Sequence, residues 1–480
     1  MDLVLDGRGP VYIQLARAIR QAIVSGRVPD GSRIPPSREL ALRTGLSRTT
    51  IVAAYRQLEA EGIVEPRVGD GSYVRAPDAQ SQGKAPAVGS YLPQSAFARR
   101  ARAATALQPQ EGEHAAACRY SFRYDALQLN SKLPDDWARL MAKAAPYVKT
   151  GYPAVQGLAG LRAEIALHLR LSRGIDCQAE DVLVVNGARQ AYSLTTRVIL
   201  DAGELAAVED PHYFGIRRVL EAEGVHVLGV PVDDEGMVVG TLEGRHAKAV
   251  FVMPSHQFPT GSILAFARRA ALIDYAHRRR AWIVEDDFGG EFRHDEPATR
   301  ALYSLDCGAH VVHIGSFSRT IFPAMRLGYI LMPRALREDF IAAKALSDFG
   351  VSPYEQEALT ELISSGAYAR HIRACTAVLA DRRLRLRQAL ASRRFPGMRV
   401  AGRNAGMHLV GWLDGVNEDG VKGIVTSATS RGLSVHSIAP FYLQPPAQQA
   451  LMLGFGCLHA SEIPAAAAIL ADCLSPASNS

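Results

Sequence analysis

The chain has 480 residues, 48% hydrophobic and 21% charged, which is globular composition and excludes a disordered or fibrous protein. Its length predicts roughly two to four units of ordinary size, and a formal net charge of +6 permits a nucleic-acid partner without requiring one. Cys118, Cys177, Cys307, Cys375, Cys457 and Cys473 show no CxxC spacing, and no leader or membrane-length apolar run is present, so a reduced, soluble, cytoplasmic protein is expected.

Tyr12, Leu15, Ile19 and Ile23 fall three or four residues apart and predict an amphipathic helix stopped at Gly26. Pro35 and Pro36 precede Ser37, read as the N-cap of a short helix that ends at Gly45. Ser47 reads as the cap of a further helix that turns Ile51, Ala54, Tyr55 and Leu58 inward before Gly62. Two short helices around a glycine-containing turn are a helix-turn-helix pattern. The following stretch reads as two strands around Gly69, Asp70 and Gly71, a hairpin that would form a wing.

Arg48, Thr49 and Thr50 occupy the first turn of the second helix, the part of a recognition helix that meets base edges and phosphates. Arg38, at the start of the preceding helix, is placed to reach a phosphate. Residues 1–76 hold 11 Arg and no Lys against 8 acidic residues, a net +3, and the planar guanidinium suits guanine and phosphate alike. A helical protein-interaction module with a solvated basic face is the competing reading. The stretches IPPSRELA (34–41), GLSRTTI (45–51) and YRQLEAEG (55–62) resemble the GntR-type winged helix. That resemblance implies a double-stranded DNA operator as partner and makes Arg38, Arg48, Thr49 and Gly71 DNA-facing. Ser37 and Thr50, at the same two helix starts, join them as candidate contacts.

Residues 77–117 are rich in Pro, Ala, Gln, Ser and Gly and read as a flexible linker, with Arg99, Arg100 and Arg102 keeping it solvated or, as the alternative, brushing DNA. From 118 to 476, short β-branched runs alternate with helical patterns, which predicts an α/β domain with a mostly parallel sheet. Ligands in such sheets bind beyond the carboxyl ends of the strands. Gly187, Ala188 and Arg189 open a helix directly after a strand, a corner suited to an anion. Tyr213 follows a Pro-fixed strand end and offers a stacking face or a core ring. Glu285, Asp286 and Asp287 end another strand, and three adjacent carboxylates call for a cationic partner. Residues 311–333 read as strand, corner, strand, with Ser316, Ser318, Arg319 and Arg326 able to clasp a phosphate; a plain hairpin with a solvated tip is the alternative.

The stretch SFSRTIFPAMRLGY (316–329) resembles the "SFSK…PxxRLGY" segment of fold-type I pyridoxal-phosphate enzymes, as found in the MocR branch of GntR regulators. PSHQFPTG (254–261) and EDDFGGEFR (285–293) are similar to further segments of that branch. The resemblance implies a fold-type I transferase-like domain: three α/β/α layers, a mostly parallel sheet and a small C-terminal α+β subdomain. It implies that Asp286 pairs with the pyridine nitrogen and that Ser316, Ser318 and Arg326 hold the phosphate beside the Gly187 corner, with Arg319 as a further candidate. It also implies a homodimer with two winged helices, and a small anionic effector. Three positions depart from the family: Arg319 stands where the Schiff-base lysine is expected, Phe288 replaces a tyrosine and Met452 an arginine. A guanidinium stays protonated and is a poor nucleophile, so pyridoxal phosphate is expected to bind non-covalently if at all. The expectation is a regulator without catalysis; the rivals are a working aminotransferase with a DNA-binding head and a regulator whose large domain is only structural.

Overall fold

The computed structural model describes residues 3–67, 70–75, 94–106, 118–124, 130, 132–148, 151–293, 300–392, 395, 397–402 and 406–474. They fall into two compact units, Met1–Gln94 and Ser95–Ser480. None of the described helices is long and apolar enough to cross a membrane.

In the first unit, helix α1 (Val11–Val24) buries Leu15, Ile19 and Ile23 against α3 (Arg48–Ala60), which contributes Ile51, Ala54, Tyr55 and Leu58. Tyr12 stays 38% exposed, so the inward stripe begins a turn later than its spacing implied. Helix α2 (Ser37–Thr44) ends at Gly45, whose φ of 68° suits a residue without a Cβ. Ser37 is not the cap: Pro36 holds that place with φ −55° and ψ 145°, and Ser37 is the first helical residue without a side-chain cap bond. The proline ring pre-sets the extended entry by itself, so no hydroxyl is needed there. Ser47 is the N-cap of α3 and accepts from the Thr50 amide at 3.2 Å. Strands β1 (Val64–Arg67) and β2 (Gly71–Val74) pair antiparallel as the wing; Gly69 of its turn lies outside the described residues.

The second unit begins inside the stretch read as a linker. Helix α4 (Ala96–Ala106) packs on a later helix, buries Ala104, and its Arg100 Nε donates to Ala222 O at 3.0 Å. The linker expectation therefore fails for these residues: alanines favour helix, and one small apolar face with a guanidinium anchor suffices to dock it. Arg99 and Arg102 lie on this helix; the remainder of 77–117 lies outside the described residues, save 94 and 95 before the helix.

Strands β3 (Tyr120–Ser121), β4 (Val182–Val185), β5 (Leu205–Asp210), β6 (His226–Asp233), β7 (Gly236–Met237), β8 (Ala249–Val252), β9 (Trp282–Asp286), β10 (Val311–Ser316) and β11 (Gly328–Leu331) follow. Eight of them form one sheet in the order β4-β11-β10-β9-β8-β5-β6-β7. The pairings from β10 to β6 are parallel, whereas β11 runs antiparallel to both β10 and β4, and β7 to β6.

Alternation along β4 shows how the sheet is covered. Val182 and Val184 join one apolar cluster with helices α5 (Leu133–Ala144), α6 (Ala159–Arg173), α9 (Phe266–Arg279), α10 (Leu302–Leu305) and α12 (Pro353–Ser364). Leu183 and Val185 join another with α7 (Gly187–Ile199), α8 (Phe214–Glu223) and α11 (Arg337–Asp348). Both faces are thus buried, each Val or Leu contributing about 1.5–3 kcal/mol, and three α/β/α layers result. Helices α13 (Ala367–Ala391), α14 (Glu418–Ser430) and α15 (Ile463–Leu474) pack with the antiparallel sheet of β12 (Met398–Ala401), β13 (His408–Leu413), β16 (Gln449–Gly454) and β15 (His436–Ser437), the expected small α+β subdomain. Strand β14 (Leu433–Ser434) pairs in parallel with β3 and ties the first strand of the unit to this subdomain.

Candidate functional site

The residues that follow β4, β5, β8, β9 and β10, together with those preceding β11, surround one cavity of about 400 Å³. Of the residues singled out from sequence, Ala188, Arg189, Tyr213, Asp286, Ser316, Ser318, Arg319 and Arg326 all line it. Gly187 stands behind them as the first residue of α7, at φ 75°. A Cβ there would come within 3.4 Å of the Arg326 guanidinium, so the missing side chain keeps that corner open.

The three carboxylates at the end of β9 have separate fates. Glu285 accepts from the Leu302 and Tyr303 amides and pairs with His313 at 3.0 Å, both side chains fully buried. Burial opposes both charges, but the pairing outweighs it, holding the Glu285 carboxyl below and the His313 imidazole above their ordinary ranges. Asp287 forms a buried ion pair with Arg173, whose Nη1 also donates to Gly290 O at 3.0 Å. Asp286 accepts from the Tyr192 hydroxyl, and the ion pairs of the described residues include none to it. Burial, with Asp287 beside it, pushes Asp286 up to about 7 despite that hydrogen bond. Two of the three acids have cations within the protein; Asp286 and Asp287 both border the cavity, and Asp286 does so without an ion pair among the described residues.

The opposite corner is built for an anion. Ser316 Oγ accepts from the Ser318 amide at 3.2 Å, while Ser318 Oγ is shut from solvent and has no hydrogen-bond partner among the described residues. Arg326, held at φ 54°, donates through Nη2 to Asn186 O at 3.1 Å, beside the N-terminus of α7. Asp348 braces that corner: it accepts from Asn186 Nδ2 and Gln190 Nε2, each at 2.7 Å, and pairs with the buried Lys344 at 2.5 Å.

Arg319 points elsewhere. Its Nη1 donates to Tyr124 O at 3.2 Å, and its guanidinium carbon stands 5.4 Å from the Phe288 ring centre. Tyr213 is half-buried, tilted against Phe214 at 5.0 Å with one side on the cavity. Met452 is fully buried in β16 within the core and is not among the lining residues. None of the described lysines lines the cavity: Lys132, Lys143, Lys248, Lys344 and Lys422 all lie outside it.

Sequence reasoning did not assign Tyr192, Met253, Phe258, Asp287, Glu291 and Pro323 to this lining. Tyr192 carried a signal, since it lies four residues after Ala188 on one helix face. Arg173 carried none, lying 114 residues before its partner Asp287.

In the first unit, Arg38, Arg48, Thr49 and Gly71 are exposed, while Ser37 and Thr50 are half-buried. Arg48 Nε donates to Ser37 Oγ at 3.4 Å, bringing the starts of α2 and α3 together. The Thr49 and Thr50 hydroxyls each hydrogen-bond Ser47 Oγ, at 2.7 and 2.8 Å. Gly71 has φ 110°, and a Cβ there would sit 2.9 Å from Arg33 Nε. One groove joins Arg33, Ser37, Arg56, Gly71 and Ser72, so the wing and α2 share a cationic border in which Arg33 and Arg56 were not anticipated.

Two family models match the chain: bacterial regulatory proteins of the gntR family over residues 11–74, and aminotransferase class I and II over 123–439. The probable rhizopine catabolism regulatory protein MocR of Rhizobium meliloti is 32% identical over 463 residues, covering 94% of this chain and 92% of that protein. The chain belongs to the MocR subfamily of GntR-family transcription regulators. Its MocR architecture extends to the HTH-type pyridoxine biosynthesis transcriptional regulator PdxR of Corynebacterium glutamicum, 30% identical over 95% of this chain and 94% of that one. Among solved structures, the MocR body is similar to LysN, the alpha-aminoadipate aminotransferase of Thermus thermophilus complexed with N-(5'-phosphopyridoxyl)-L-leucine. That match has a TM-score of 0.69 at 23% identity, over 79% of this chain and 97% of the enzyme, and establishes the fold.

Proposed function

We propose that the chain is a DNA-binding regulator whose body binds a phosphorylated pyridine of the pyridoxal-phosphate type without a covalent bond and without catalysing its chemistry. The observation that carries this reading is the composition of the cavity: an anion corner and the buried Asp286 carboxylate are kept, and none of the described lysines faces them. The fit rests on two groups left short of partners. Ser318 Oγ is a buried polar atom without a hydrogen bond, which a phosphate oxygen would accept from. Asp286 is a buried carboxyl without a cation, which a protonated ring nitrogen would supply.

Ser316, Ser318 and Arg326, with the α7 amides beyond Gly187, would hold the phosphate. Tyr213 would flank the ring, and Asp286, oriented by Tyr192, would fix its nitrogen. When bound, such a group supplies an electron sink. Using it for transamination requires an amine to carry protons, and Arg319 offers instead a guanidinium, a poor base, anchored to Tyr124 O. Fold-type I bodies support a homodimer as the working unit, with the winged helices on paired half-sites. A ligand that prefers one arrangement of the dimer would change operator affinity by its differential affinity for the two arrangements.

The test is a titration of the full chain with pyridoxal phosphate, followed by borohydride and intact-mass measurement. Saturable, dialysable binding with a free-aldehyde spectrum and unchanged mass is the expected result. A permanent mass gain would mean that a lysine reaches the cofactor and restore the enzyme reading. No binding would leave the body a purely structural one.

A further inference from the structure

We propose a second site, for a divalent transition-metal ion such as zinc, formed by His277, Asp306 and His310 at the end of the sheet remote from the cavity. Its place follows from strand direction. Asp286 and Ser316, at the carboxyl ends of the parallel strands β9 and β10, line the cavity, whereas His310 immediately precedes β10 and His277 lies in the last turn of α9, shortly before β9. At about 3.3 Å per residue the length of β10 separates the two places by roughly 17 Å.

One ring nitrogen from each histidine and one carboxylate oxygen of Asp306 lie within 4.8 Å of one another. Two imidazoles and one carboxylate are the donor set that zinc and its neighbours in the transition series take from proteins, leaving a fourth position for water. The carboxylate is already oriented: Asp306 Oδ2 accepts from the His310 amide at 2.5 Å, and its side chain is 1% exposed. His277 Nε2 contacts Asp306 Oδ1 at 2.6 Å, and the His277 side chain is 48% exposed, which gives an ion a way in.

An ordinary His277–Asp306 ion pair accounts for part of this arrangement but not for the second imidazole. The rings of His277 and His310 lie 4.3 Å apart, and His310 Nδ1 is shut from solvent with no hydrogen-bond partner among the described residues. Arg278, on the same helix turn, is engaged by Glu243 at 2.7 Å and Asp274 at 2.8 Å, so its charge is offset away from the cluster. Bonds of about 2.0–2.1 Å to a tetrahedral ion require donor separations near 3.3 Å. The His277 Nε2–Asp306 Oδ1 contact of 2.6 Å would therefore open by about 0.7 Å as the ion enters between them, tying the end of α9 to the start of β10.

The experiment is titration of the full chain, prepared without a histidine tag and dialysed against chelator, with zinc chloride by calorimetry and with cobalt chloride by visible absorption. The expected result is one equivalent bound, with a cobalt band of tetrahedral intensity, and at least tenfold weaker binding in both His277→Gln and His310→Gln. Thermal unfolding of the metal-free variants, unchanged from the parent, would show that the loss is not one of folding. Absence of saturable binding would overturn the site, as would binding of parental strength in the double variant.

Discussion

Replacing Asp286 with asparagine should act on stability and on ligand affinity with opposite signs. In the ligand-free protein the Asp286 carboxyl is carried from its ordinary 3.8 to about 7, chiefly by burial. Below pH 4 the folded and unfolded states both hold this proton, and no difference arises. Between those two values the folded state keeps the proton that the unfolded state has released, so stability falls as pH rises. Above about pH 7 the full penalty applies, an upper bound of roughly 4 kcal/mol. Asparagine keeps an oxygen to accept from Tyr192 and carries no charge to desolvate, so the variant should be more stable than the parent at pH 8.5 and close to it at pH 4.5. A ligand whose ring nitrogen bears a proton loses a charged hydrogen bond in the same variant, worth about 1.5–3 kcal/mol, or roughly 10- to 150-fold in affinity. Urea unfolding at the two pH values and fluorescence titration with pyridoxal phosphate read the two effects separately. Equal stability of parent and variant across that pH range would refute the burial argument. Unchanged affinity would refute the placement of the ring nitrogen.

Arg48→Ala should weaken operator binding by about 1–3 kcal/mol if the guanidinium reads a base, or lower the salt slope by about one if it contacts phosphate; a mobility-shift series over salt distinguishes the two, and no change in either removes α3 as the reading helix. Arg319→Lys should place an amine in the cavity and produce a borohydride-stable mass gain with pyridoxal phosphate, absent from the parent; failure would show that this position does not reach the aldehyde. Asp348→Ala should destabilise the body by about 3 kcal/mol in urea, because it strands the buried Lys344 ammonium and unpins Asn186 and Gln190 together; a loss under about 1 kcal/mol would mean that the lysine finds water.

The sheet was legible because its strands are near-continuous apolar runs, such as 182–185 and 311–315, that only a doubly covered sheet can bury. The cavity was legible because strand ends carry polar residues that have no packing reason to be there, as Ser316, Asp286 and Arg326 do. What escaped were partnerships made in three dimensions: Arg173 with Asp287, Asp348 with Asn186, and Arg319 with Tyr124, whose members lie far apart in the chain. Local rules also failed where one residue served for another, as Pro36 did for Ser37. Composition misjudged Ala96–Ala106 because it reports whether a segment can form its own core, not whether it can lie on another.

That docked helix has a mechanical consequence. Tyr213 meets the cavity and caps α8, a rod about 15 Å long, and near its far end Ala222 grips Arg100 of α4. Helix α4 is thus fastened to the same rod whose other end borders the cavity. A tilt of that rod would displace the fastening and, through the buried Ile216 and Leu220, strain the apolar layer over the sheet. Under the proposed reading, a ligand seated against Tyr213 would be felt at α4, where the second unit begins.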